Sequence, residues 1–372
     1  ACPHRGASMF FGRNEENGLR CVYHGWKFDA EGECVDMPNE PAESNFKHKI
    51  HATAYPTQEK GGVVWAYLGA ERPLPPLPQF EWMDLPSHRV IASKRVQQTN
   101  WLQGIEGEID QSHVSFVHSR LNVNIPDGRF RSIVDQIRFM DRHPRFEVVE
   151  ADYGICIGSG REAPDNQKYW RVSQFLMPSH VMTGPYGENP IRNWRCWVPI
   201  DDVNVVVIGA NFHPTRDFTD EEVRRLSTRS GVWTISTEMR RPATSEPWGA
   251  WYGLPTLEND YFVDRELQKK VTYSGIEEFW AQDSAMQVTM GPIYDRTREH
   301  LGTSDSGIIA ARRRVASAAR ALAEKGTIPA EVHHPEVYMQ RSDAVLLPPD
   351  AQWFDATAER RRATPGLNPA CV

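Results

Sequence analysis

A chain of 372 residues, 40% hydrophobic and 24% charged, exceeds what one core of ~100 to 200 residues fills, so two domains or one large one are expected. A net charge of -7 and a pI near 6.0 exclude a surface built to neutralise nucleic-acid phosphates, which needs clustered Lys and Arg. No run approaches the ~20 apolar residues that span a bilayer, and Ala1-Cys2-Pro3-His4 is not a charged-then-apolar leader, so a cytoplasmic protein without nucleic-acid or membrane partners is expected.

From Ala1 to about Gly69, short apolar runs alternate with turn residues, as in Gly18-Leu19-Arg20-Cys21-Val22-Tyr23 and Gly61-Gly62-Val63-Val64-Trp65, which predicts a small antiparallel β domain over residues 1–70. A ligand-like motif at residue 2 has nothing upstream to pair with, so this domain is expected to lack a native N-terminal part. Residues 71–90 read as a linker, because the prolines of Glu71-Arg72-Pro73-Leu74-Pro75-Pro76-Leu77-Pro78 suit neither a helix interior nor a central strand. Residues 91–372 read as a larger domain, making the chain α+β, with an antiparallel sheet flanked by helices. Trp101, Ile105, Ile109, His113 and Phe116 recur at helical spacing, predicting a helix over 100–118. Residues 130–215 return to β-like runs such as Val203-Asn204-Val205-Val206-Val207-Ile208. Residues 219–241 and 275–325 look helical, with Ser304-Asp305 as a cap and Lys325-Gly326 as a stop.

The six cysteines are too few and too scattered for a disulfide scaffold, so a special role must come from local spacing. Cys2-Pro3-His4, then sixteen residues, then Cys21-Val22-Tyr23-His24 places one thiol and one imidazole on each of two tight loops. Two thiolates suit one iron of a 2Fe-2S cluster and two imidazoles the other. A zinc site accepts the same donors, although zinc fingers usually group Cys with Cys and His with His. Downstream, Asp110, His113 and His118 form Asp-x-x-His-x4-His. Asp110 and His113 are expected to share a helix face, while His118, five further on, implies a local distortion. Two His and a distant carboxylate make a facial site that leaves iron open positions for oxygen. Ordinary hydrogen-bonded helix histidines are the alternative from these residues alone.

Together these motifs resemble the Rieske non-haem iron aromatic ring-hydroxylating oxygenases, large (alpha) subunit. The nearer likeness is to the phthalate dioxygenase-like family, through Cys2-Pro3-His4-Arg5-Gly6-Ala7-Ser8, Cys21-Val22-Tyr23-His24-Gly25-Trp26-Lys27-Phe28-Asp29, Gln282-Asp283-Ser284-Ala285-Met286-Gln287 and Gly291-Pro292-Ile293-Tyr294-Asp295-Arg296. The resemblance implies a Rieske domain over 1–70 and a catalytic domain over 91–372. It implies cluster ligands Cys2, His4, Cys21 and His24, and iron ligands His113, His118 and Asp283, with Asp295 and Glu299 as competing carboxylates. Asp110 would bridge His113 to His24 of an adjacent chain, orienting the ligand and shortening the electron path. Ala7, Tyr23, Trp26 and Phe28 stand where respiratory Rieske proteins carry extra cysteines and hydroxyls, which implies a lower-potential cluster.

The implied cofactors are the 2Fe-2S cluster and mononuclear Fe(II), with O2 as co-substrate. NAD(P)H would act only through a separate reductase carrying flavin and iron-sulfur centres, since no Gly-rich dinucleotide fingerprint is present. A homo-oligomer, trimer or hexamer, is implied by the inter-subunit path. The expected activity is cis-dihydroxylation of a phthalate-type aromatic carboxylate in aromatic hydrocarbon catabolism. The alternatives are O-demethylation of a methoxylated aromatic acid by a monooxygenase and, in another class, electron transfer without oxygenase activity. Arg142 is the candidate substrate-binding cation, and Phe175, Met177 and Trp194 are candidate pocket walls.

Overall fold

The computed structural model describes residues 1–41, 43–121, 133–185, 190–227, 235–243 and 248–363. The chain forms two compact units, Ala1–Leu74 and Pro75–Val372. The boundary falls inside the proline-rich stretch, whose later part, Phe80 to Met83, is already buried core of the second unit.

In the first unit, turn residues cut every apolar run short. Strands β1 (Arg13–Glu15), β2 (Gly18–Arg20), β3 (Lys27–Phe28) and β4 (Cys34–Asp36) pair antiparallel in that order. β5 (Thr57–Lys60) and β6 (Val63–Ala66) form a hairpin across Gly61-Gly62, both at positive φ, as a tight two-residue turn requires. The core gathers Cys2, Cys21, Trp26, Phe28, Cys34 and Met37, so the two candidate cluster thiols are anchored in it.

The second unit is organised by an eight-stranded antiparallel sheet of β7 (Val90–Gln97), β8 (Arg145–Ala151), β9 (Gly154–Ala163), β10 (Gln167–Leu176), β11 (His180–Met182), β12 (Arg192–Pro199), β13 (Val205–Phe212) and β14 (Asp343–Leu347). Its order is β7-β13-β12-β11-β10-β9-β8. One edge of β10 is divided: Lys168–Val172 pairs with β14 and Gln174–Leu176 with β11. Helix α1 (Trp101–Ile109) is capped by the Asn100 side chain, which accepts from Leu102 N at 3.1 Å. It packs Ile105 and Ile109 onto Ile155, Ile157, Phe175 and Trp197 of the sheet. Close approach depends on Gly104, where an added Cβ would lie 2.0 Å from the Trp197 ring.

Further helices among the described residues are α2 (Ile133–Met140), α3 (Asp220–Ser227), α4 (Arg265–Lys270), α5 (Phe279–Thr289) and α6 (Ser306–Lys325), followed by the short α7 (Trp353–Ala356) and α8 (Ala358–Arg361). Several expected elements are corrected. The helix expected over 100–118 ends at Ile109, because the Asp110 carboxylate accepts from the backbone N–H groups of Ser112 and His113 and diverts the chain into a turn. The β run expected over 130–215 is interrupted by α2. The helix expected over 219–241 is regular only in α3, and residues 228–234 lie outside those described. The span 275–325 is two helices, α5 and α6, separated by an irregular segment beginning at Gly291-Pro292. Asp305 stands at the N-cap of α6, but its carboxylate accepts from Gly302 N at 2.7 Å instead of capping a helical amide. Gly326 ends α6 with φ of 64° and donates to Leu322 O at 2.9 Å.

Candidate metal centres

In the first unit two loops repeat one backbone pattern. Gly6 N donates to Cys2 O and Gly25 N to Cys21 O, both at 2.9 Å, while Cys2 N donates to Ala7 O and Cys21 N to Trp26 O, both at 2.8 Å. Gly6 and Gly25, at φ 75° and 81°, supply the left-handed corner each loop needs. The repeat sets the thiols of Cys2 and Cys21 in the core and brings Nδ1 of His4 to 3.1 Å from Nδ1 of His24. Burial first, and then the neighbouring Cys21 thiol, push the Cys2 thiol above its ordinary pKa. Burial first, then His4 and Arg5, lower that of His24. Both effects favour the neutral groups: a neutral imidazole is already the metal-binding form, whereas a thiol has to give up its proton to bind a metal. Trp26 stacks on His4 at 4.4 Å between centroids and donates its N–H to Asn39 at 2.7 Å. Tyr23 is exposed and Phe28 buried.

In the second unit the turn after α1 and one face of α5 bring three donors together. Nε2 of His113 and Nε2 of His118 are 3.2 Å apart, and Asp283 Oδ1 lies 3.6 Å from the first and 3.1 Å from the second. Metal–ligand bonds of about 2.1 Å at right angles place donors about 3.0 Å apart, so the three fit one face of an octahedron. His113 Nδ1 lies 3.1 Å from Asp110 Oδ2, and His118 Nδ1 lies 2.7 Å from Gln282 Oε1. An acceptor opposite each Nδ1 keeps the proton there and leaves both Nε2 lone pairs for a metal. The residues fit the group on this ground: three lone-pair donors converge without a shared hydrogen. This is also the group of three metal-capable side chains found among the described residues.

Burial opposes ionisation of Asp283, but His118, then His113 and Arg95, hold its carboxyl below the usual range. For His113, burial opposes the charge, while Asp110 and Asp283 outweigh it and raise the pKa. Asp110 is likewise opposed by burial and held low by His113. Beneath lies a second buried set. Arg195 donates to Glu108 at 2.5 Å and to Thr183 at 2.8 Å, and the Arg195 and Glu108 side chains are each 1% exposed. Arg95, drawn down to about 10 by burial, is bonded to Gln97 and remains cationic at neutral pH.

Asp295 and Glu299 are not in this cluster. Asp295 caps a short turn by accepting from Thr297 N, and Glu299 pairs with Arg312, which also holds Glu106. A cleft of about 970 Å³, counted to its open mouth, reaches His113, His118 and Asp110. Val114, Ile191, Leu226 and Phe279 give it apolar walls, and among the described residues Arg171 and Arg225 line it as cations beside the carboxylates of Glu108 and Asp110. Arg142 is not among its lining residues; its guanidinium lies 6.0 Å from the Phe116 ring centroid. Phe175 and Met177 belong to the core beneath α1, and Trp194 packs on Trp82 and Phe80. Sequence reasoning assigned no role to Gln282, Arg171 or the Arg195–Glu108 pair. The available signal was a cation inside otherwise apolar strand runs, as in Trp194-Arg195-Cys196-Trp197.

Comparison with known proteins finds relatives for both parts of the chain. Residues 1–56 match the Rieske [2Fe-2S] domain and residues 66–369 the family described as LigXa C-terminal domain like. The 3-chlorobenzoate-3,4-dioxygenase oxygenase subunit of Comamonas testosteroni is 38% identical over 371 residues, 96% of this chain and 83% of that protein. The phthalate 4,5-dioxygenase oxygenase subunit of Pseudomonas putida is 35% identical over 317 residues, 84% of this chain and 69% of that protein. In fold, the terminal oxygenase of carbazole 1,9a-dioxygenase from Nocardioides aromaticivorans IC177 aligns with a TM-score of 0.51 at 19% identity, covering 86% of this chain and 83% of that one.

Proposed function

The chain belongs to the Rieske non-haem iron oxygenases as an oxygenase (alpha) subunit, and from that premise we infer that it cis-dihydroxylates a small aromatic carboxylate of the phthalate or benzoate type. Its cofactors are a 2Fe-2S cluster and a mononuclear iron, with O2 as co-substrate, and its electrons come from a separate reductase or ferredoxin. It acts within an oligomer, a trimer or a pair of trimers. No helix among the described residues is long and apolar enough to cross a membrane.

Cys2, His4, Cys21 and His24 hold the cluster, and His113, His118 and Asp283 hold the iron. Held there, the iron would supply O2 activation and the cluster would supply single electrons. The protein's own groups do the rest. Asp110 holds the proton on His113 Nδ1 and keeps the ring turned toward the metal face. Val114, Ile191, Leu226 and Phe279 exclude water and seat an aromatic ring. Arg171, fixed by the Gln111 side chain and the Gly184 carbonyl, presents a charge of set direction, and Arg225 adds a second. The observation that carries the reading is this pairing of a three-donor face with two arginines in one apolar-walled cleft.

Turnover of phthalate, chlorobenzoates and methoxybenzoates with a surrogate reductase under ¹⁸O2 tests it. A cis-diol carrying both labelled atoms supports the reading. Formaldehyde from methoxybenzoates without a diol replaces it by O-demethylation, and turnover restricted to uncharged arenes overturns the carboxylate assignment.

A further inference from the structure

Helix α5 presents three side chains to one imidazole. Phe279 stacks on the His118 ring with centroids 3.9 Å apart and planes at 13°, Gln282 Oε1 meets Nδ1 at 2.7 Å, and Asp283 Oδ1 meets Nε2 at 3.1 Å. Their spacing of i, i+3 and i+4 puts all three on one helical face. The orientation of the Gln282 amide is determined by its other end, where Nε2 donates to Ile276 O at 2.7 Å, and a carbonyl can only accept. The oxygen must therefore face His118, so Nδ1 carries the proton and Nε2 is bare. The His118 side chain is 2% exposed, so no bulk water substitutes for this acceptor. The two histidines are thus held differently. His113 has a carboxylate behind it, which builds negative charge on the ring, whereas His118 has a neutral amide, which fixes direction and tautomer without adding charge.

We propose that Gln282 is a positioning residue that holds His118 in the Nδ1–H tautomer, and that with Phe279 it makes one turn of α5 a clamp around the ligand. The proposal rests on the reading of His113, His118 and Asp283 as the iron site. Removing such a partner weakens metal binding about 10- to 100-fold.

The test uses the full chain with its cluster assembled, comparing Gln282→Leu, Gln282→Glu and Asp283→Ala. Fe(II) affinity at the mononuclear site and the EPR spectrum of its nitrosyl adduct are read, with cluster absorbance as the folding control. Both Gln282 variants lose the donor to Ile276, but only Glu keeps an acceptor for His118. The proposal expects Gln282→Leu to weaken Fe(II) binding at least 10-fold, and Gln282→Glu to stay within about threefold of wild type with an altered nitrosyl signal, because a charged partner now sits behind His118. Equal losses in both variants, or no loss in Gln282→Leu, overturn it. Retention of iron by Asp283→Ala would instead overturn the ligand reading beneath it, so the two failures are distinguishable.

Discussion

Gly104→Ala tests how closely the iron site depends on the seating of α1. The new Cβ would stand 2.0 Å from Cζ3 of Trp197 and 2.2 Å from Cε3, where ordinary contact begins at 3.4 Å, so 1.4 Å of displacement is required. Trp197 is fully buried in the core beneath α1 and its ring lies 5.4 Å from the Arg95 guanidinium, so it has little room to yield. Overpacking of this kind costs about 3 kcal/mol at the upper end, and replacing a helical glycine recovers about 1 kcal/mol, leaving a loss of about 2 kcal/mol. For a unit of about 300 residues, with an unfolding entropy of about 2.1 cal/mol/K per residue, that lowers Tm by about 3 °C. The displacement has a second consequence. The turn carrying Asp110, His113 and His118 follows directly from α1, whereas Asp283 is held by α5, so a lifted α1 spreads the three donors. A shift of about 1 Å in such a constellation costs about 100-fold in rate. Differential scanning calorimetry and single-turnover kinetics on the iron-loaded variant measure both effects. A Tm equal to or above that of wild type would refute the argument, because it would mean that helix propensity outweighs the contact with Trp197.

Asp110→Asn is expected to leave cluster and iron bound while lowering turnover about 100-fold, read by iron analysis alongside product formation. In metal-free protein His113 has its pKa raised above 6.5 despite burial, by Asp110 and Asp283. Its charged form therefore stabilises the fold fully below about pH 6.5, and that contribution is lost as pH rises through the raised pKa. Iron must displace this proton, so calorimetric Fe(II) affinity should climb with pH across the same window and flatten in Asp110→Asn. Arg225→Ala should raise KM for the aromatic acid about tenfold with little change in kcat, whereas Arg142→Ala, outside the cleft lining, should stay within about twofold. With Trp26 committed to Asn39 and Phe28 offering no hydroxyl, a redox titration should place the cluster toward the low end of the roughly -150 to +300 mV Rieske range.

The parts of this protein that sequence alone determined are those whose geometry is set within a few residues. Cys2 and His4, or Cys21 and His24, share a tight loop whose glycine corner follows from the local chain, and Asp110 reaches His113 through one turn. Even there the helical period misled, because the Asp110 side chain competes for backbone amides and ends α1 before His113; burial periodicity carries no record of such a turn. The rest was decided by tertiary structure. Asp283 and Gln282 meet His118 only because α5 is docked on β7 and α1, through Ser284 Oγ to Gln97 Oε1 at 2.8 Å, Gln97 Nε2 to Gln287 Oε1 at 2.6 Å and Gln103 Nε2 to Gln287 O at 3.4 Å. These contacts join residues more than 180 positions apart. The cleft's cations follow the same rule: Arg142 stands close to the histidines along the chain, yet Arg171 on β10 and Arg225 on α3 line the cleft. Sheet register and helix docking choose the face a side chain joins, and neither is written in its neighbours.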